Sequence, residues 1–273
     1  MGMFVEDGPS TAHSCKEAAR WYLKAANQGH LEAQYFLGTA YARGRGVTRN
    51  ELESAKWYQK AAEQGFDNAQ CILGGLFKQG QGVAQSNVEA ARWYSRAAEQ
   101  GYLKAQLHLG AMFENGDGID QSDVEAAYWY KKAAEQGDQA AQSVLGSLYK
   151  EGCGVAKSDI EAVRWWKKAA AQGNVEAQCN LGFACKKGEG VKQSEVEAAR
   201  WFRKAAEQGL ARAQCGLGFQ YLEGHGVPRD IQEAMRWIFK AAHQGQEDAL
   251  EIMKLVESKN PAVMAQGSQS LKE

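Results

Sequence analysis

The side chains best suited to nucleophilic or metal chemistry are six cysteines and five histidines, and their spacing supports neither use. Cys15, Cys71, Cys153, Cys179, Cys185 and Cys215 contain no Cys-x-x-Cys pair, and His13, His30, His108, His225 and His243 form no His-Glu-x-x-His set. Cys179 and Cys185 stand six apart on what reads as one helix and point in different directions. Free thiols are therefore expected, which favours a reducing compartment. Six Gly-x-Gly pairs, from Gly44/Gly46 to Gly224/Gly226, superficially suggest phosphate loops. They follow helical segments instead of strands, and lack the third glycine and the Lys-Ser/Thr that would hold a phosphate. The recurrent Glu-Gln-Gly carboxylates have no second acid beside them for general acid–base work. No catalytic residue, metal or cofactor is expected, so the chain reads as a non-enzyme.

Charge and hydropathy narrow the partners. The 32 Lys+Arg nearly balance 33 Asp+Glu, so no field favours nucleic acid or an acidic membrane. No apolar run approaches the roughly 18 residues of a membrane span. Met1 to Ser14 shows no signal peptide. A removed leader would leave no trace, so a cytoplasmic location is favoured while export stays open.

The elements behind these residues form a tandem repeat. Trp21, Trp57, Trp93, Trp129, Trp165, Trp201 and Trp237 stand 36 residues apart, and Gly29 through Gly245 keep the same interval, each preceded by Gln. A third series runs from Gly38 to Gly218. Fixed-period self-similarity of this length marks a stacked array. Each unit reads as two helices. Helix A carries Ala-Gln-x-x-Leu-Gly-x-x-aromatic, as in Ala33, Gln34, Leu37, Gly38 and Tyr41, with the apolar positions on one face, and stops at Gly44. Helix B opens on a box such as Ser86/Glu89, Ser122/Glu125, Ser158/Glu161, Ser194/Glu197, Asn50/Glu53, Asp230/Glu233 or Ser14/Glu17. The first side chain is expected to accept from a free backbone N–H, and the Glu to reach back to another. Glycine inside helix A costs about 1 kcal/mol relative to alanine, so Gly38 and its equivalents read as points where a neighbouring helix approaches closely. The tryptophans, and Trp166 in the position of Tyr58 or Phe202, read as packing residues between helices.

The unit Ala-Gln-x-x-Leu-Gly-x-x-Tyr-x-x-Gly-x-Gly-Val, followed by Ser-x-x-Glu-Ala-x-x-Trp-Tyr-x-Lys-Ala-Ala-Glu-Gln-Gly, resembles the Sel-one-like repeat (SLR) family, a relative of the tetratricopeptide solenoids. The resemblance covers about Gly8 to Ala249. It implies an all-α fold, a right-handed α/α superhelical solenoid of 36-residue helix-turn-helix repeats with the A helices on the concave side. It also implies protein binding or scaffolding without catalysis. One branch of the family carries disulfides flanking the Gln-Gly turn; Ala26 and Gln34 stand at such positions here, so that framework is not expected.

Residues 1–14 read as a leader with the remnant of a truncated repeat, 15–258 as one solenoid, and 259–273 as a disordered tail after Pro261. A polar helix from about Gln246 to Ser258 should cap the stack, with Lys254 where the packing glycine would stand. On a helical wheel, the positions of Tyr35, Thr39 and Arg43 lie opposite the fixed core face and vary between repeats. The resulting stripe gives the candidate partner-binding residues Tyr35, Thr39, Arg43, Lys104, Leu107, Ser143, Phe183, Lys187, Arg212 and Phe219. An apolar floor with a mixed-charge rim suits a peptide or helix laid along it. The expected function is a monomeric adaptor holding a protein segment. The alternatives are a self-assembling structural module or an exported bacterial host-interaction factor.

Overall fold

The computed structural model describes residues 9–259, and among them every regular element is an α-helix. Two compact units follow one another along the chain. In the first, up to Gln136, α1 (Pro9–Asn27) is followed by the A/B pairs α2 (Leu31–Arg43) with α3 (Glu51–Glu63), α4 (Asp67–Gln79) with α5 (Asn87–Glu99), and α6 (Leu103–Asn115) with α7 (Asp123–Glu135). The second, from Gly137, contains the pairs α8 (Gln139–Glu151) with α9 (Asp159–Ala171), α10 (Val175–Lys187) with α11 (Glu195–Glu207), and α12 (Ala211–Glu223) with α13 (Ile231–His243), and then α14 (Glu247–Lys259). Within each unit a helix packs chiefly on its chain neighbours, so an A/B pair buries its apolar faces by stacking on the next pair. The expected polar helix is α14. The leader falls largely, and the tail from residue 260 entirely, outside the described residues.

Local rules account for the helix ends. Gly44, Gly80 and Gly116 close A helices in the left-handed conformation, at φ 66°, 70° and 72°. The N-cap side chains of Asn50, Ser86, Ser122, Ser158 and Ser194 each accept from the backbone N–H of the Glu three residues on. The reciprocal half of the box does not form. Each cap's own N–H donates to the carbonyl of a residue in the preceding A helix, such as Ser86 to Phe77 and Ser194 to Cys185, both at 2.9 Å. With that donor satisfied, the Glu turns to a cation three residues on in five of the six repeats from Asn50 onward, as in Glu53–Lys56 at 2.7 Å. The Ser14/Glu17 box is also overturned, because α1 begins at Pro9 and runs through Ser14. Ser10 stands where other repeats have the second glycine of the pair, so the left-handed turn that would interrupt the helix is missing.

The glycines inside the A helices mark close approach, and what approaches is a ring or aliphatic side chain of the paired B helix. A methyl on Gly38 would lie 3.0 Å from Tyr58, and one on Gly182 would lie 2.6 Å from Phe202. Trp166 takes this place over Gly146, is 5% exposed, and donates its indole N–H to the Ser143 carbonyl at 3.2 Å. The phase-locked tryptophans join repeats. Trp57 packs with Ala26, Ala33 and Leu37, and Trp93 with Tyr58, Ala62 and Leu73. All of them but Trp129 carry on their outer faces a cation three residues on, from Lys168 at 3.9 Å over Trp165 to Lys24 at 4.8 Å over Trp21. Trp21 departs from the packing expectation at 65% exposure.

A buried glutamine ladder adds polar specificity. Gln34, Gln70, Gln106, Gln178 and Gln214 each accept from a glutamine 30 residues later at 2.7–2.9 Å and donate to a helix-B carbonyl eight residues earlier. Every amide in that row is thus both donor and acceptor between successive repeats, which satisfies groups that burial would otherwise penalise.

Candidate functional site

The candidate stripe comprises two rows that the wheel could not separate. The row of Tyr35 turns into the helix-A layer, where Cys71, Ser143, Cys179 and Cys215 are all buried. The row of Thr39 faces outward: Thr39, Ala111, Ser147 and Phe183 are half-buried and Phe219 is exposed. The difference is one helical turn, and only neighbouring A helices decide which turn is covered.

In the first unit the stripe is held by internal contacts. The Tyr35 ring packs edge-on against Phe66 at 5.1 Å. The Thr39 hydroxyl lies 3.1 Å from the Tyr35 carbonyl and 2.9 Å from the Tyr58 hydroxyl, bonding to both. Leu107 is half-buried, and Arg43 and Lys104 are exposed. Lys104 also borders a shallow depression formed with Asp67, Tyr102, Leu103 and Gln136. Tyr102 donates its hydroxyl to Asn68 at 2.6 Å.

The second unit brings two of the selected residues, Phe183 and Arg212, into contact. Phe183 of α10 packs edge-on against the buried Phe202 at 4.9 Å. The Arg212 guanidinium, from α12, lies 5.5 Å from the centre of the Phe183 ring. It is held by donation to Asn180 at 2.6 Å and Glu176 at 3.2 Å. Phe219, in the phase of Phe183 on the adjoining A helix α12, is 37% exposed, and Lys187 is exposed at the end of α10. Ser143 does not join this surface, being 8% exposed. Sequence reasoning missed Asn180 and missed that Glu176 and Arg212 pair. The signal was there: opposite charges at one phase in adjacent repeats, 36 residues apart.

Among the described residues no group of three His, Cys, Asp or Glu side chains could hold a metal ion, and no helix is long and apolar enough to cross a membrane. No disulfide joins the cysteines. Burial pushes the Cys71 and Cys215 thiols up to about 11 from the ordinary 9.0. The folded state thus favours the neutral thiol, so stability is retained below pH 9 and declines as pH rises from 9 towards about 11. At about pH 8 a thiol reagent should leave Cys71 and Cys215 unmodified until denaturant is added. Labelling of either in native buffer would contradict this assignment.

The chain matches the family described as Sel1 repeat at residues 1–30, 31–66, 67–102, 103–138, 139–174, 175–210 and 211–246. Among solved structures it is similar to a protective antigen present in uropathogenic Escherichia coli strains that displays an SLR fold. The two share 31% identity and a TM-score of 0.81 over 92% of this chain and 56% of that one. The chain therefore spans little more than half the length of that protein. It is also similar to a Sel1 repeat protein from Oxalobacter formigenes, at 33% identity and a TM-score of 0.68 over 84% of this chain and 92% of the other. No curated protein matches the chain.

Proposed function

This chain belongs to the Sel1 repeat family, a non-catalytic scaffold fold whose members generally act in protein–protein interaction, and on that premise we propose that it is a monomeric adaptor. It holds a segment of a partner protein against the outward row of its A helices. The observation that carries this reading is the Arg212–Phe183 contact in the second unit, with Phe219 exposed in the phase of Phe183 on the adjoining A helix. Apolar area on Phe183 and Phe219 supplies burial, while Arg212 offers a directed charge at the edge. Glu176 and Asn180 already hold the guanidinium, so little side-chain freedom is lost when a partner carboxylate or carbonyl meets it.

Phe219→Ser is the cleaner probe of this surface, because Phe183→Ser would also remove a ring packed on the core. With tagged protein in extract from the source organism, a partner retained by the wild type should be lost by Phe219→Ser combined with Arg212→Gln. Both positions are exposed, so stability should change by only about 0.5 kcal/mol per substitution. A partner retained equally by the double variant would overturn the site.

A further inference from the structure

Helix α7 departs from the other B helices at one position, and the departure leaves a surface unlike any other in its unit. The position three residues after the N-terminal Glu is Arg20, Lys56, Arg92, Arg164, Arg200 or Arg236 in the other repeats and Tyr128 here. In five of those repeats that cation pairs with its Glu, as in Glu89–Arg92 at 3.6 Å, Glu161–Arg164 at 3.3 Å and Glu233–Arg236 at 3.2 Å. Glu125 has no such partner, and among the described residues neither it nor the exposed Asp120 and Asp123 makes an ion pair. Beside these carboxylates, Val124 is 64% and Tyr128 49% exposed, one helical turn apart on the same face. An aliphatic side chain is also exposed at this phase in Leu52, Val88, Ile160 and Val196. In those repeats the neighbouring Glu is neutralised from within. Lys132 on the same helix lies 5.6 Å from the centre of the Tyr128 ring.

We propose that this face of α7 docks a basic segment of a partner protein, with an arginine or lysine set between Glu125 and the Tyr128 ring and an apolar neighbour on Val124. The repeats themselves show that a cation fits here, because five of them place their own against the equivalent Glu. The carboxylates supply charge complementarity, the ring a cation–π surface, and Val124 the apolar contact. This surface lies on a B helix and is independent of the Arg212–Phe183 contact and of Phe219.

The test is fluorescence anisotropy with a labelled short peptide of alternating arginine and valine, against the same peptide with glutamate for arginine. The basic peptide should bind in a salt-sensitive manner and the acidic one should not. Tyr128→Gln, which leaves the charge unchanged, should weaken binding about tenfold. Tyr128→Arg should weaken it at least as much without loss of folding, since other repeats carry arginine there. Phe219→Ser should leave it unchanged. Equal binding of both peptides, wild-type affinity in Tyr128→Gln, or loss in Phe219→Ser would overturn the proposal. So would a dimer in sedimentation that Tyr128→Arg dissolves, which would make the occupant a second copy.

Discussion

Replacing Gly190 with alanine is expected to lower the unfolding free energy by about 3–5 kcal/mol, a severe loss for the addition of one methyl group. Gly190 is the second glycine of its pair and has φ +68°. Any L side chain pays about 1–2 kcal/mol for that left-handed backbone. The contact is worse than the dihedral. A methyl would overlap the Asp159 carbonyl and lie 2.8 Å from the Ile160 amide nitrogen, in the first turn of α9. Backbone in a helical turn cannot swing aside as a flexible side chain can, so the loop after α10 would have to separate from α9. Gly209 provides the control, since it has φ +97° but nothing within 4 Å of an added methyl. Gly209→Ala should therefore cost only the backbone term, about 1–2 kcal/mol. Urea unfolding of the two variants followed by far-UV circular dichroism separates strain from contact. Equal losses in both would mean that close approach at Gly190 contributes nothing.

Gly182→Ala should cost about 2–3 kcal/mol even though alanine is the better helix former by about 1 kcal/mol. The added methyl would sit 2.6 Å from Cδ1 and Cε1 of Phe202, a ring with no exposed surface and no room to move. At Gly38 the equivalent distance to Tyr58 is 3.0 Å, so Gly38→Ala should be milder. A double-mutant cycle tests the cause. Phe202→Leu shortens the ring to a branched chain, and in its presence Gly182→Ala should be less damaging by at least about 1 kcal/mol. Additive losses would show that the ring is not what excludes alanine. The same substitution reaches the proposed binding surface, because Phe183 stacks edge-on against Phe202. Displacing Phe202 should tilt Phe183 under Arg212 and weaken any partner held there.

Much of this molecule was legible in its residues because the deciding interactions are local. Ser86 caps α5 through an N–H three residues away, and Gly80 ends α4 through its own left-handed dihedral. Rules of such short range read directly from spacing, and a 36-residue period repeats them until the all-helical, paired architecture is unambiguous. Trp166 and the close approach at Gly38 were legible for the same reason, since one phase recurs in every repeat.

What only the tertiary structure decided involves groups distant in sequence that compete for the same partner. The Glu of each capping box was expected to return to the cap N–H, but from Asn50 onward a carbonyl nine residues earlier takes that donor, and in five of those six repeats the carboxylate turns to a cation. The Gln70–Gln100 bond joins amides 30 residues apart that carry no mark of pairing in the sequence. The wheel put Ser143 and Phe183 on one face, yet Ser143 is buried while Phe183 retains an accessible edge, because burial on an A helix depends on the next A helix as well as on its own periodicity. Repetition determined that every unit folds alike. Packing between units of the repeat determined which of its variable side chains remain at the surface, since a side chain's exposure is a property of its neighbours in space.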